Sequence, residues 1–279
     1  MKSLSRLDRW TLAYAALASA IILVRWPPHA AAPLLPVLAA HAALAGCALL
    51  APRARRGGVW GRFAGEFYPL FALVALYTSI GIVNAAARVS HDGRVQSWEQ
   101  ALFAGQPARD WIRACPWPWL SALLHAGYLS YYVILAAAPL GLWLSGRRDA
   151  ARRTALVVMV AFYACYVVFL VFPVAGPRYA FPSVHNAAAA VAPAMLTQKL
   201  LDQAAAWGTA FPSSHVAAAL AASVSAWQGW RALGACLLPL AALLSLGTVY
   251  GQFHYAVDAL AGAALAALVL ALHPPRPAD

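Results

Sequence analysis

Charge is scarce in this chain. Asp, Glu, Lys and Arg make up 10% of its 279 residues, against 63% hydrophobic residues. A soluble domain carries about 25% charge. So few polar side chains cannot cover a soluble globule, which leaves an integral membrane protein. Acidic residues are scarcer than basic ones, 9 against 20, for a formal charge of +11. That excess does not describe a nucleic-acid surface, and no nucleic-acid partner is expected. The basic residues fall mostly in short gaps between apolar runs, as orientation signals do. Cysteine is also sparse. Cys47, Cys115, Cys165 and Cys236 are widely spaced, which excludes CxxC metal spacing and a disulfide framework. They read as small buried hydrophobes. No internal repeat is present. The apolar stretch after Lys2, Arg6 and Arg9 runs into Arg25-Trp26-Pro27-Pro28 without a small-residue cleavage pattern. It therefore reads as a first membrane helix, not a secretory leader.

What is present is a series of long apolar runs. A membrane helix needs roughly 20 such residues, and its backbone polar groups must be satisfied internally. The fold class is therefore all-α, a polytopic membrane helical bundle. The runs predict about eight spans, near 10–26, 32–51, 67–87, 119–144, 154–174, 212–228, 231–250 and 254–272. With the N-terminus inside, one side collects Lys2, Arg6 and Arg9, then Arg53, Arg55, Arg56 and Arg62, then Arg147, Arg148, Arg152 and Arg153, then Arg231 and Arg276. The positive-inside rule makes that side cytoplasmic. Residues 88–118, 175–211 and the 250–254 turn then face outward from the cell (inner) membrane. Trp98, Trp111, Trp117 and Trp119, mixed with charge, suit a segment lying at the interface. It is either a lid or an ordinary loop with aromatic anchors.

The chemistry-bearing residues cluster on that outward side. Helix five is expected to end in a Pro-rich turn carrying Arg178. Helix six is expected to start at Pro212-Ser213-Ser214-His215, with Pro and Ser as start signals. A helix N-terminus offers free N–H groups and partial positive charge, so it suits a phosphate. His215 could protonate a leaving oxygen. Helix eight is expected to open with His254, and Asp258 four residues on would share its face. Asp258 could hold that ring in one tautomer and leave the other nitrogen as nucleophile or base. A buried acid costs about 2.5–3.5 kcal/mol even on a lenient insertion scale, so the pair reads as functional. Arg178, Ser213, Ser214 and a helix dipole for an anion, with two His and one Asp, make up a phosphoryl-transfer kit. It calls for no metal and no cofactor. A transporter or flippase using Asp258 and His254 as a proton relay is the rival outside enzyme chemistry. A lipid-binding module without activity is a third reading.

This order of residues resembles the type 2 phosphatidic acid phosphatase superfamily of membrane lipid phosphatases and phosphotransferases. Gly176-Pro177-Arg178 is similar to the end of that family's first motif. Pro212-Ser213-Ser214-His215 is similar to the second, with Ser214 in place of Gly. His254 and Asp258 supply the end of the third. The resemblance implies that His254 is the phosphate-accepting nucleophile and that Asp258 orients it. It implies that His215 is the acid for the leaving alcohol and that Arg178 and Ser213 bind phosphate. The partner it implies is a lipid phosphate or phospholipid substrate in the membrane.

Two family cations are missing. The first-motif Lys falls at Val171 and the third-motif Arg at Thr248. Thr248-Val249-Tyr250 and His254-Tyr255 resemble the inositol phosphorylceramide synthase branch. So do the stretch from Asp92 to Pro107 and Tyr128-Leu129-Ser130-Tyr131-Tyr132. The acceptor is therefore either water or an alcohol. Phe181-Pro182-Ser183-Val184-His185 nearly duplicates the second motif. The later copy is preferred because it precedes a cleaner apolar run. Lys199 is a candidate to replace a missing cation. The expected layout is two N-terminal helices over 1–60, a catalytic membrane core over 61–272 and a cytoplasmic tail over 273–279.

Overall fold

The computed structural model describes residues 4–27, 30 and 34–275. Lys2, Arg276 and the tail beyond residue 275 lie outside them. Twelve helices follow one another among the described residues: α1 (Arg6–Arg25), α2 (Leu34–Ala54), α3 (Val59–Ala87), α4 (Asp92–Phe103), α5 (Pro107–Ala114), α6 (Pro118–Leu144), α7 (Arg148–Val171), α8 (Pro177–Ala180), α9 (Ala192–Ala204), α10 (Ser214–Gly229), α11 (Arg231–Tyr250) and α12 (Ala256–Leu272). The protein is a helical, multi-pass membrane bundle. Six helices, α1, α2, α3, α6, α7 and α11, are long and apolar enough to cross a membrane. The other two expected spans are shorter, α10 with 16 residues and α12 with 17.

α10 is the axis of the bundle and packs against α6, α7, α11 and α12. Its Ala217, Ala218, Ala219, Ala221, Ala222 and Ala226 are all fully buried. Small residues let neighbouring backbones approach closely in a membrane bundle, so the Ala-rich run suits a helix enclosed by protein. α7 is buried on nearly all sides; α1 and α3 pack against it, and α2 packs on α1 and α3. Phe71, Val74, Leu49, Leu50, Leu260 and Leu268 point outward, where lipid is their partner.

Three helices start four or more residues earlier than their apolar runs do. α1 begins at Arg6, not 10, α3 at Val59, not 67, and α7 at Arg148, not 154. Hydropathy counts charge as loop, but here the charges pair across the bundle. Arg152 Nη2 lies 2.8 Å from buried Glu66, and Arg55 Nη2 lies 2.6 Å from fully buried Asp8. These pairs mark one end of the bundle. Arg147 over the Trp230 ring and Arg153 on the His273 carbonyl belong to the same end.

The opposite end is covered by short helices. Residues 88–118 form α4 and α5, which pack on α12 and α11. Residues 175–211, expected as loop, contain α8 and α9, and α9 lies against α6. α9 is polar along one side and buries Ala194 and Thr197 on the other.

Candidate active site

The end of α7, the start of α10 and the turn between α11 and α12 meet at the α4–α5 end of the bundle. A short parallel bridge between Val174 and Thr209 begins the assembly, and Ala210 N–H donates to the Val174 carbonyl at 2.9 Å. Gly176, at φ +100°, then turns the chain; a Cβ there would lie 3.0 Å from Ala210 Cβ and 3.5 Å from the Phe253 carbonyl. Glycine is the residue suited to that conformation.

Ser213 is the N-cap of α10, and its hydroxyl accepts from Val216 N–H at 3.3 Å. The helix therefore starts at Ser214, with Pro212 before it instead of in its first turn. The N–H groups of Ser214 and His215 have no intrahelical partner by helix geometry. Ser213 N–H donates to the Asp258 carbonyl at 2.9 Å, which joins the second motif to the third.

His254 precedes α12; it is not the helix's first residue. Tyr255 is the N-cap, and Asp258 is the third helical residue, accepting from Tyr255 N–H at 2.8 Å. The His254–Asp258 contact is thus made from a turn onto a helix start, not along one helical face. His254 Nδ1 stands 3.4 Å from Asp258 Oδ2, and its Nε2 stands 3.4 Å from His215 Nδ1. His254 and Asp258 are buried and His215 is half-buried. His215 Nε2 lies 3.4 Å from the Tyr128 hydroxyl, and the Tyr131 ring packs 4.6 Å from its ring. Asp258, His254, His215 and Tyr128 form one line of polar groups. The other Asp258 oxygen, Oδ1, is buried without a partner among the described residues.

Arg178 lies in the single turn of α8. One guanidinium nitrogen pairs with Asp202 of α9, and Nη1 is buried without a partner among the described residues. Gln252 reaches the same turn, donating to the Pro177 carbonyl at 3.4 Å and the Pro182 carbonyl at 3.1 Å. A buried guanidinium nitrogen with a free N–H suits an anion.

The earlier near-copy of the second motif does not join this cluster: Ser183 and His185 are exposed on a loop. Lys199 is exposed on α9 and has no bond to the cluster among the described residues. Val171 is 51% exposed at the end of α7. Thr248 is buried, and its hydroxyl donates to the Ser245 carbonyl. Its carbonyl accepts from both Phe253 and His254 N–H at 3.0 Å, so it shapes the turn that presents His254. Arg113 of α5 reaches this region, donating to Gln252 Oε1 at 2.7 Å.

A profile of the PAP2 superfamily matches residues 94–272. The chain belongs to the PAP2 superfamily. Its members are phosphatases or phosphotransferases, and they act on lipid phosphate substrates. No curated protein and no solved structure matches the chain. The PAP2 region takes in α5 to α12 and most of α4.

Several polar side chains at this end were invisible to motif reading. Asn84 of α3 donates to the Phe169 and Gly208 carbonyls at 3.1 and 3.0 Å. A lone Asn near the end of an apolar run was its only sequence signal. Glu99 of α4 is fully buried and accepts from Ala108 N–H at 3.3 Å. Burial pushes its carboxyl up to about 7, although the N–H groups of Ala108, Ala256 and Val257 favour the charged form. Desolvation of the anion is the larger effect and outweighs those bonds.

Proposed function

We propose that this protein is a lipid phosphatase or phosphotransferase that works through a phospho-histidine intermediate. The observation that carries the reading is His254, with Nδ1 toward Asp258 and Nε2 toward His215. With its Nδ1 proton directed to Asp258, the Nε2 lone pair is free to attack phosphorus. The bond between phosphorus and the ester oxygen breaks, and protonated His215 gives its proton to that oxygen as the alcohol leaves. Water or an alcohol then attacks the phosphorus, gives its proton to His215, and frees His254. Arg178 Nη1, the Ser213 hydroxyl and the start of α10 at Ser214 would hold the phosphate oxygens. The His254–Asp258 and His254–His215 distances of 3.4 Å are long, as catalytic contacts often are before substrate binds.

The substrate is a lipid-linked phosphate, since the site lies at the end of a membrane bundle. The arginine-rich loops support a site on the extracytoplasmic face of the cell membrane. Thr248 and Tyr250, placed as in the inositol phosphorylceramide synthase branch, favour a second reading in which an alcohol accepts the head group. A proton relay for transport would place its acids at mid-membrane on broken helices; here they gather at one end.

The test is turnover by protein purified in lipid nanodiscs. Phosphate release is measured from phosphatidate, phosphatidylglycerophosphate and a polyprenyl diphosphate, with and without alcohol acceptors. His254→Ala is expected to abolish turnover in a protein that stays folded. Release by that variant at the wild-type rate sinks the mechanism.

A further inference from the structure

Asp92 is the first residue of α4, opens the Asp92–Pro107 stretch without having been given a role, and lies two residues before the PAP2 match begins. An Asp in a first helical turn ordinarily serves its own helix. This one is turned outward. Its Oδ1 accepts from Gly176 N–H and from the Tyr255 hydroxyl, both at 2.8 Å. Its Oδ2 accepts from Ala175 N–H at 2.8 Å and from the Ser90 hydroxyl. Two consecutive backbone N–H groups aimed at one anion form a small nest. Ala175 and Gly176 lead directly into Arg178, and Tyr255 directly follows His254. One carboxylate therefore joins the arginine turn to the histidine turn.

Neighbouring contacts hold Asp92 in that place. Gln96, one helical turn on, donates to the Tyr255 hydroxyl at 3.0 Å. His91 N–H donates to the Pro173 carbonyl at 2.9 Å, and its ring stacks on Phe172 at 4.3 Å. Tyr255 itself is fully buried, so its ring cannot swing away without opening the core beneath α4.

We propose that Asp92 is a positioning residue, which sets the distance between the phosphate-binding arginine and the nucleophilic histidine. The proposal rests on the functional reading above. A displacement near 1 Å between reacting groups costs about 100-fold in rate. Asn at this position keeps the size, but its amide nitrogen cannot accept. At least one of the two N–H groups or the phenol then loses its partner. The chemical step should suffer more than binding, because Arg178 remains available to the ground-state phosphate.

The experiment compares wild type, Asp92→Asn, Tyr255→Phe and the double variant, with His254→Ala as control. Asp92→Asn is expected to lower kcat roughly 10- to 100-fold with KM within about three-fold. The double variant is expected to fall short of the product of the single losses, because the two groups act through one bond. Amide hydrogen exchange is read on the same proteins. Exchange over 173–178 and 252–258 should quicken in Asp92→Asn, while α1 to α3 stay as in wild type. A kcat within two-fold of wild type, a loss confined to KM, or unchanged exchange over both segments overturns the proposal. If His254→Ala keeps wild-type turnover, the functional reading fails by itself. The exchange result still decides whether Asp92 holds the two segments.

Discussion

Arg178 has one guanidinium nitrogen on Asp202 and the other buried without a partner among the described residues. A carboxylate and a phosphate compete for the same fork of donors. Asp202 is mostly exposed, so the pair is screened and weak, about 0.2–1 kcal/mol. Asp202→Asn removes the competitor, and KM for a lipid phosphate should fall about two- to five-fold with kcat unchanged. Steady-state kinetics on nanodiscs check this, and a rise in KM instead means that Asp202 aims Arg178. Arg178, Ser213, Ser214, His215, His254 and Asp258 could be picked out as candidates because motif spacing is a local property of the chain, and the fold brings His215, His254, Asp258 and Ser213 together. Gln252 carried no signal, and Tyr128 and Asp92 stood in quoted stretches without a role, because what they do depends on contacts with distant segments. The spacing also misplaced His254 on a helix. Asp258, as the third residue of α12, accepts the N-cap N–H of Tyr255, so the helix starts after the histidine.

At the scale of elements, the contact between α10 and α12 sets how closely His215 and His254 approach. Gly262 allows it: a Cβ there would lie 2.4 Å from the Ser213 carbonyl oxygen. That oxygen is backbone at a helix start, so it can yield only if α10 moves. Gly262→Ala should cost about 1–3 kcal/mol of stability and about 100-fold in turnover. Thermal unfolding and rate measured on one preparation check both. α4 offers a pH readout. Glu99 is pushed from the ordinary 4.5 up to about 7, so the folded state favours its neutral form. Stability is therefore full below pH 4.5 and declines as pH rises through about 7. Glu99→Gln is neutral throughout and should flatten the unfolding temperature over that interval. A parallel decline in the variant assigns the effect to another group.

Across the whole molecule, the two ends do different work. The site occupies one end, and the other is held by buried acids on arginines. Asp8 accepts from Arg55 at 2.8 and 2.6 Å and from Tyr68 at 3.2 Å, which ties α1 to α2 and α3. Asp8→Ala strands Arg55. It should destabilise the protein by about 2–4 kcal/mol, somewhat less than for a fully buried pair because Arg55 is partly exposed. Turnover per folded molecule should be unchanged, since the pair lies far from His254. Unfolding temperature and specific activity separate the two effects, and an activity loss beyond the unfolded fraction counts against the separation. The bundle itself was legible in outline. Hydropathy marked every long helix, and the errors fell at charged ends, where Glu66 and Arg152 are helical because each neutralises the other.

The sequence by itself determined that the chain lives in a membrane and that it is helical, and it pointed to the side chains proposed to carry its chemistry. Those follow from composition and short-range spacing, because lipid forces backbone bonds inward and a motif keeps its residues within one or two turns. The tertiary structure decided which of two Pro-Ser-x-His segments meets His254, and that His215 faces it across 3.4 Å. It also decided that Asp92 joins two motifs, reaching Tyr255 across 163 positions of sequence. Helix packing decides such pairings, because the close approach of α10 and α12 and the fold of α4 over the bundle end depend on contacts between distant segments.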